Sequence, residues 1–141
     1  MRIMALDVGD RRIGVALSDP TGLLARQLGI LNRTDDSRDT QEVLRLVQEH
    51  APGRLIVGLP LLLNGDEGQQ AQKVHAFCNI LKQVLNIPLE MVDERFSTVA
   101  ACEYMRHNVS RKKGGTKQHD DAIAAAVILQ NYLDDDFGRR V

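Results

Sequence analysis

The stretch Ile3–Asp19, IMALDVGDRRIGVALSD, decides how this chain folds. Two apolar runs, Ile3–Leu6 and Ile13–Leu17, have strand length and β-branched content, and they flank a polar bend. The bend holds Gly9 and ends at Gly14, so the chain can turn sharply and form a hairpin. Asp7 is the odd residue, because it stands at the end of the first strand, where a side chain is nearly buried. A buried carboxylate is rare unless it is paired or holds a metal. The plain alternative is a turn-forming Asp that caps its own loop. Other acids further along the chain bear on that choice.

Working outward, Leu23–Leu31 is a third, weaker apolar run, and three strands with short links suggest an antiparallel meander. Thr34–Thr40 is suited to starting a helix, with Ser37 or Asp39 as its cap. Val43, Leu44, Leu46 and Val47 give that helix an apolar stripe, and it ends before Pro52-Gly53. Leu55–Leu59 is a continuous apolar run, as expected of a strand covered on both faces, and Pro60 stops it. Leu61–Gly68 reads as a loop, and Gln69–Leu85 as the clearest helix. Leu89–Val92 is the last strand and runs into Asp93-Glu94-Arg95. Ser97 or Thr98 can cap a helix to about Met105, Ser110–Thr116 is a basic, glycine-containing loop, and Asp120 or Asp121 opens a last helix to about Leu133. The charged end, 134–141, is expected to fray. The order β-β-β-α-β-α-β-α-α predicts one α/β domain over residues 1–141. Its five-stranded mixed sheet has the order 3-2-1-4-5, with strands 1, 4 and 5 parallel and helices on both faces.

Composition narrows the function classes. A hydrophobic share of 43% with 26% charged residues is that of a soluble globular domain. No apolar run approaches the ~20 residues needed to span a membrane. The N-terminus enters a strand without a secretory pattern, so a cytoplasmic location is expected. Cys78 and Cys102 lack zinc spacing and are too few for a disulfide framework. Net charge is −1, so any polyanion must be gripped by a local patch. Aromatic content is 4% without Trp, which argues against stacking bases on an aromatic platform.

The predicted topology brings distant acids together. Asp7 ends strand 1, Glu94 follows strand 5, and Gly58–Gly65 lies between them, beyond the carboxyl ends where such sheets gather ligands. Asp121 shares a helical face with Ala125, Ile128, Leu129 and Tyr132, and that stripe should dock on the sheet. Asp120 lies about 100° away and faces Ile123, Ala124 and Val127, so periodicity only leans towards Asp121. Both can instead simply cap the helix. Three convergent carboxylates repel one another unless a hard divalent cation neutralises them. Two such ions ~3.5–4 Å apart would clamp an in-line phosphoryl displacement. The chemistry expected is phosphodiester hydrolysis with Mg²⁺ or Mn²⁺.

Four segments resemble a known family. They are Asp7-Val-Gly-Asp-Arg-Arg-Ile-Gly-Val-Ala16, Val57-Gly-Leu-Pro60 with Asn64-Gly65, Asp93-Glu-Arg-Phe-Ser-Thr98, and Asp121-Ala-Ile-Ala-Ala125 with Ile128-Leu-Gln130 and Tyr132-Leu133. Each is weak alone. Together, and in this order, they resemble the YqgF proteins, the pre-16S rRNA nucleases, also called Holliday-junction-resolvase-like, with an RNase H-like fold. The resemblance implies catalytic, metal-binding roles for Asp7, Glu94 and Asp121, and it implies that Arg95 and the Gly58–Gly65 loop shape the rim. Asp120 stands where relatives usually carry an aliphatic residue, and Leu62 where the loop is often polar.

Arg111, Lys112, Lys113 and Lys117 precede Asp121 and are candidates for gripping phosphate, with Arg11 and Arg12 extending the patch. Their bland reading is solvated surface or weak ion pairing. His119 could serve as base or ligand, although a lone His beside a helix start is more often idle. The leading expectation is a nuclease for structured RNA in ribosomal RNA maturation, as a monomer or homodimer. A four-way DNA junction resolvase uses the same chemistry and normally needs a symmetric dimer. Asp-x-Gly at a hairpin also resembles the phosphate loop of the actin, Hsp70 and sugar-kinase superfamily, but that fold needs two domains around ATP. A non-catalytic nucleic-acid adaptor is the fourth reading, and three retained carboxylates argue against it.

Overall fold

The computed structural model describes residues 1–94 and 117–140, with side chains over 1–94 and 123–135. Strands β1 (Ile3–Val8), β2 (Arg12–Ser18) and β3 (Ala25–Asn32) form the meander. They are followed by α1 (Asp36–His50), β4 (Arg54–Leu59), α2 (Gln69–Val84), β5 (Leu89–Asp93) and α3 (Lys117–Arg140). The sheet has the expected order β3-β2-β1-β4-β5. β1 pairs antiparallel with β2 and parallel with β4, and β4 pairs parallel with β5. The predicted helix from Ser97 or Thr98 to Met105, and the basic loop Ser110–Thr116, lie outside the described residues.

Alternation along the strands divides the core between two faces. Met4, Leu6, Ile13, Val15, Leu17, Leu55 and Val57 pack against Val43 and Val47 of α1 and against Val74, Phe77, Cys78 and Leu81 of α2. Ile3, Ala5, Ala16 and Ile56 point to the other face and meet Ala125, Ala126, Ile128, Leu129 and Leu133 of α3. The two faces differ in side-chain size. Alanines on both sheet and helix let α3 lie close to the strands, which leaves little room for substitution. Cys78 is fully buried, and burial pushes its thiol up to about 11, in keeping with an inert reduced cysteine.

Several boundaries differ from the sequence expectation. The cap of α1 is Asp35, whose carboxylate accepts from the Arg38 N–H at 2.8 Å, rather than Ser37 or Asp39. β3 starts at Ala25, because Asp19 accepts the N–H groups of Leu23 and Leu24 and folds those residues into a turn. Gly9 does not have a positive φ; a Cβ there would stand 3.0 Å from the Arg12 carbonyl oxygen, so glycine permits a close approach. α3 begins at Lys117 and continues through Arg140, past the expected end near Leu133. Extending an existing helix adds one hydrogen bond per residue ordered, so a polar sequence can prolong a helix that packing has already nucleated.

Polar contacts fix α3 on the sheet. Gln130 accepts the Ala25 N–H at 2.9 Å and donates to the Leu23 carbonyl at 3.0 Å, tying the helix to the start of β3. Tyr132 donates to Glu90 at 2.8 Å and accepts from Arg54, tying it to β5 and β4. Replacing Ala125, which is fully buried, by Leu should lower stability by about 1–3 kcal/mol through overpacking. Urea unfolding measures this, and a midpoint equal to wild type would contradict the close seating of α3.

Candidate active site

The site lies where β1, β4 and β5 end. Asp7 is the fifth residue of β1, opposite Gly14 of β2, with Leu6 beside Val57 of β4. Gly58 is in register with Val92 of β5, and β5 ends at Asp93, immediately before Glu94. By strand parity Asp7, Gly58 and Glu94 share the face that α3 covers. β1 and β5 are separated by β4, so their backbones are roughly 10 Å apart. The Glu94 side chain spans that gap by lying over Gly58. A Cβ at Gly58 would come within 2.8 Å of Glu94 Cγ and 2.8 Å of Ile128 Cδ1. The glycine inside the apolar run LIVGL is therefore a gap that admits a carboxylate side chain.

Glu94 reaches Asp7, and the pair alters its titration. Burial pushes the Glu94 carboxyl up to about 8, the negative charge of Asp7 and a hydrogen bond to Asp7 push in the same direction, and Asp93 adds to them. In the metal-free pair neutral Glu94 donates its O–H to the Asp7 carboxylate. Like charges brought together in a partly buried place keep a proton between them until a cation replaces it. Oxygen donors of this kind suit a hard divalent ion, which takes one or two carboxylates from the protein and fills its remaining positions with water or phosphate oxygens. The donor set thus fits Mg²⁺ or Mn²⁺. Among the described residues no three His, Cys, Asp or Glu side chains form a metal cage.

The sequence named a third acid, Asp121, in the second turn of α3. The side chains of Lys117, His119, Asp120 and Asp121 lie outside the described residues, as do Arg95, Arg111, Lys112 and Lys113 altogether. The backbone gives the helix direction. Ile128 stands over Gly58 near the end of β4, whereas Tyr132 meets Arg54 at its start. α3 therefore runs against β1 and β4, with its N-terminus towards the carboxylate rim. Position 121 is seven residues before Ile128, about 10 Å along the axis and on the same stripe.

The β1–β2 turn completes the described rim. Arg11 is exposed at its tip, and Arg12 opens β2 on the face that carries Asp7. The Gly9 N–H donates to the Arg12 carbonyl at 2.8 Å. From α2, Gln70 donates to the Val8 carbonyl at 3.4 Å and Lys73 pairs with Asp10 at 3.2 Å. The β4–α2 loop forms the neighbouring wall. The Leu62 N–H donates to the Asp66 carbonyl at 2.9 Å, and Gly65 takes φ 92°.

The geometry generates two predictions. Gly58→Ala would displace Glu94 from Asp7 and should weaken Mn²⁺ binding about 10- to 100-fold by calorimetry; wild-type affinity would show that Glu94 need not cross β4. The second concerns pH. Glu94 is protonated in the folded, metal-free protein up to about 8, against a reference of 4.5. Its favourable contribution is present below the reference value and is lost as pH rises through about 8. Melting temperature without metal should therefore fall more steeply between about pH 5 and pH 9 in wild type than in Glu94→Gln. Parallel curves would contradict the shared-proton pair.

The family model described as "RuvX: Holliday junction resolvase" matches residues 1–135. A Dehalococcoides mccartyi protein named "Putative pre-16S rRNA nuclease" is 51% identical over 128 residues, covering 91% of this chain and 94% of the relative. A Chloroflexus aurantiacus protein of the same name is 46% identical over 132 residues, covering 94% and 86%. Among solved structures, Thermus thermophilus RuvC in complex with a Holliday junction substrate superposes with a TM-score of 0.68 at 14% identity, covering 98% of this chain and 96% of that one. At that identity the likeness is one of fold, and the fold is RNase H-like. With a family model spanning almost its whole length and close relatives covering more than nine-tenths of it, the chain belongs to the RuvX family, the YqgF proteins of the resemblance.

Proposed function

We propose that the protein is a divalent-metal-dependent nuclease that hydrolyses phosphodiester bonds in structured nucleic acid, acting on the 5′ end of pre-16S rRNA in ribosome biogenesis. The observation that carries the chemistry is the Asp7–Glu94 pair laid across Gly58. The names of the relatives support the RNA substrate. Residues 1–141 act as a single nuclease domain, in the cytoplasm where ribosomal RNA is made.

In this reading Asp7, Glu94 and Asp121 hold two ions of Mg²⁺ or Mn²⁺. When bound, such ions supply Lewis acidity towards the phosphodiester oxygens and make water a stronger nucleophile at neutral pH. The chain's own groups do the rest. Glu94 would release its proton to solvent for both carboxylates to serve as ligands. Arg11 and Arg12 stand by the rim, and in this reading they, with Arg95, Arg111, Lys112, Lys113 and Lys117, are the cations that meet backbone phosphates. Recognition rests on backbone charge and shape, in keeping with a chain that has 4% aromatic residues and no Trp.

A second reading, cleavage of four-way DNA junctions, is favoured by the description of the family model. It requires a two-fold dimer that presents two sites, whereas the RNA reading is compatible with monomer or homodimer.

The test is turnover of a 5′-extended 16S precursor RNA beside a four-way DNA junction, with Mg²⁺ or Mn²⁺. Asp7→Asn, Glu94→Gln and Asp121→Asn should each lower turnover by on the order of a hundredfold or more, and Asp120→Asn much less. Full activity in one of the first three would remove that residue from the set. The reverse ranking of Asp120 and Asp121 would exchange their roles. Cleavage of the junction alone would favour the second reading.

A further inference from the structure

Arg33 uses all of its guanidinium nitrogens, and nothing in the proposed chemistry uses it. It follows β3 directly, and its side chain is 18% exposed. Nε donates to Asp39 at 2.8 Å, Nη2 to Asp36 at 2.7 Å, and Nη1 to the Gly9 carbonyl at 3.0 Å. The guanidinium carbon stands 5.1 Å from the centroid of the Phe77 ring of α2. The backbone N–H of Arg33 donates to the Arg11 carbonyl at 2.8 Å. One residue thus ties the tip of the β1–β2 turn, at Gly9 and Arg11, to the start of α1 and to α2. Asp39, the anchor, is almost wholly buried and also accepts from the Thr34 N–H and hydroxyl, each at 3.1 Å.

Asp7 and the turn are held by different means. Asp7 sits within the sheet, in register with β2, and its neighbour Leu6 is in register with β4. The contacts that hold the tip beyond Val8 include Gly9 to Arg12, the pairing of Arg12 with Asn32 of β3, the long Gln70 contact, an exposed Lys73–Asp10 pair of little worth, and the Arg33 guanidinium on the Gly9 carbonyl. Loss of the Arg33 guanidinium would free the Gly9 carbonyl and loosen the turn that leads into Arg11 and Arg12, while leaving Asp7 in its ladder.

We infer that Arg33 is a positioning residue for nucleic-acid binding: its guanidinium, anchored on Asp36 and Asp39, holds the β1–β2 turn so that Arg11 and Arg12 meet the phosphate backbone. This rests on the reading of Arg11 and Arg12 as phosphate contacts. Lysine at 33 can satisfy Asp39 but cannot place three donors in a planar fork, so it keeps the charge and loses the link to Gly9.

The experiment is a double-mutant cycle on binding of a structured RNA in metal-free buffer, which suppresses cleavage. Arg33→Lys should raise Kd about three- to tenfold in the wild-type background, and less than about twofold in the Arg11→Ala, Arg12→Ala background, because nothing remains to be positioned. Turnover at saturating RNA and metal should stay within about twofold of wild type, giving an effect on KM rather than kcat. Thermal melting confirms that each variant is folded. Should Arg33→Lys fold poorly, Arg33→Met combined with Asp39→Asn removes both charges without stranding a buried carboxylate, and the same cycle is run on it. An equal loss in both backgrounds would assign Arg33 a general structural role and overturn the inference. Wild-type binding by Arg33→Lys, with weakened binding by the double alanine variant, would also overturn it while leaving the phosphate contacts intact. Wild-type binding by the double alanine variant would remove those contacts, and the inference with them.

Discussion

Two carboxylates share one partly buried place, and much of the structure serves to keep them there. Glu94 directly follows β5 and Asp7 belongs to β1, and β4 lies between the two strands. Only a residue without a side chain at position 58 lets Glu94 cross. Left without a cation, the pair holds a proton to about 8 and works against the folded state as that proton leaves. A divalent cation held at the proposed site would reverse the balance, since binding to the folded state alone is stabilising. The arrangement is locally unfavourable without its ligand, and such places are where functional chemistry is usually found.

The sheet bears this cost through the asymmetry of its two faces. On one side large aliphatic residues, Phe77 and two helices supply the bulk of the core. On the other, alanines allow α3 to lie low over the strands, with Ile128 against Gly58. Gln130 on the β3 side and Tyr132 on the β4–β5 side leave the helix little freedom to roll. Both contacts lie far from the carboxylate rim, yet they set which face of the second turn is turned to the sheet.

The sheet was legible because its evidence is local. Apolar runs at Ile3, Ile13 and Leu55, with turn residues between them, give the strands, and the connection rules give their order. The approach of Asp7 and Glu94 was legible because Asp7 ends the apolar run of β1 and Glu94 follows Asp93 at the end of β5. Other features were not, because they depend on side chains crossing between elements. Asp39 reads in sequence only as a helix cap, and only its 2.8 Å contact with Arg33 shows that the two are one unit. Gly58 carried a usable signal, a glycine inside an otherwise apolar strand, but the sequence could not say what approaches it. The charges after Leu133 suggested fraying, whereas α3 continues because propagation adds a hydrogen bond per residue and polar side chains do not prevent it. The choice between Asp120 and Asp121 depends on helix rotation, which α3 expresses through Gln130 and Tyr132, well away from either acid.

The most direct measurement is anomalous X-ray diffraction from crystals soaked in Mn²⁺. The account predicts manganese held by the carboxylates of Asp7 and Glu94. Manganese bound elsewhere, with Asp7 and Glu94 still joined through a proton at millimolar metal and neutral pH, would contradict it.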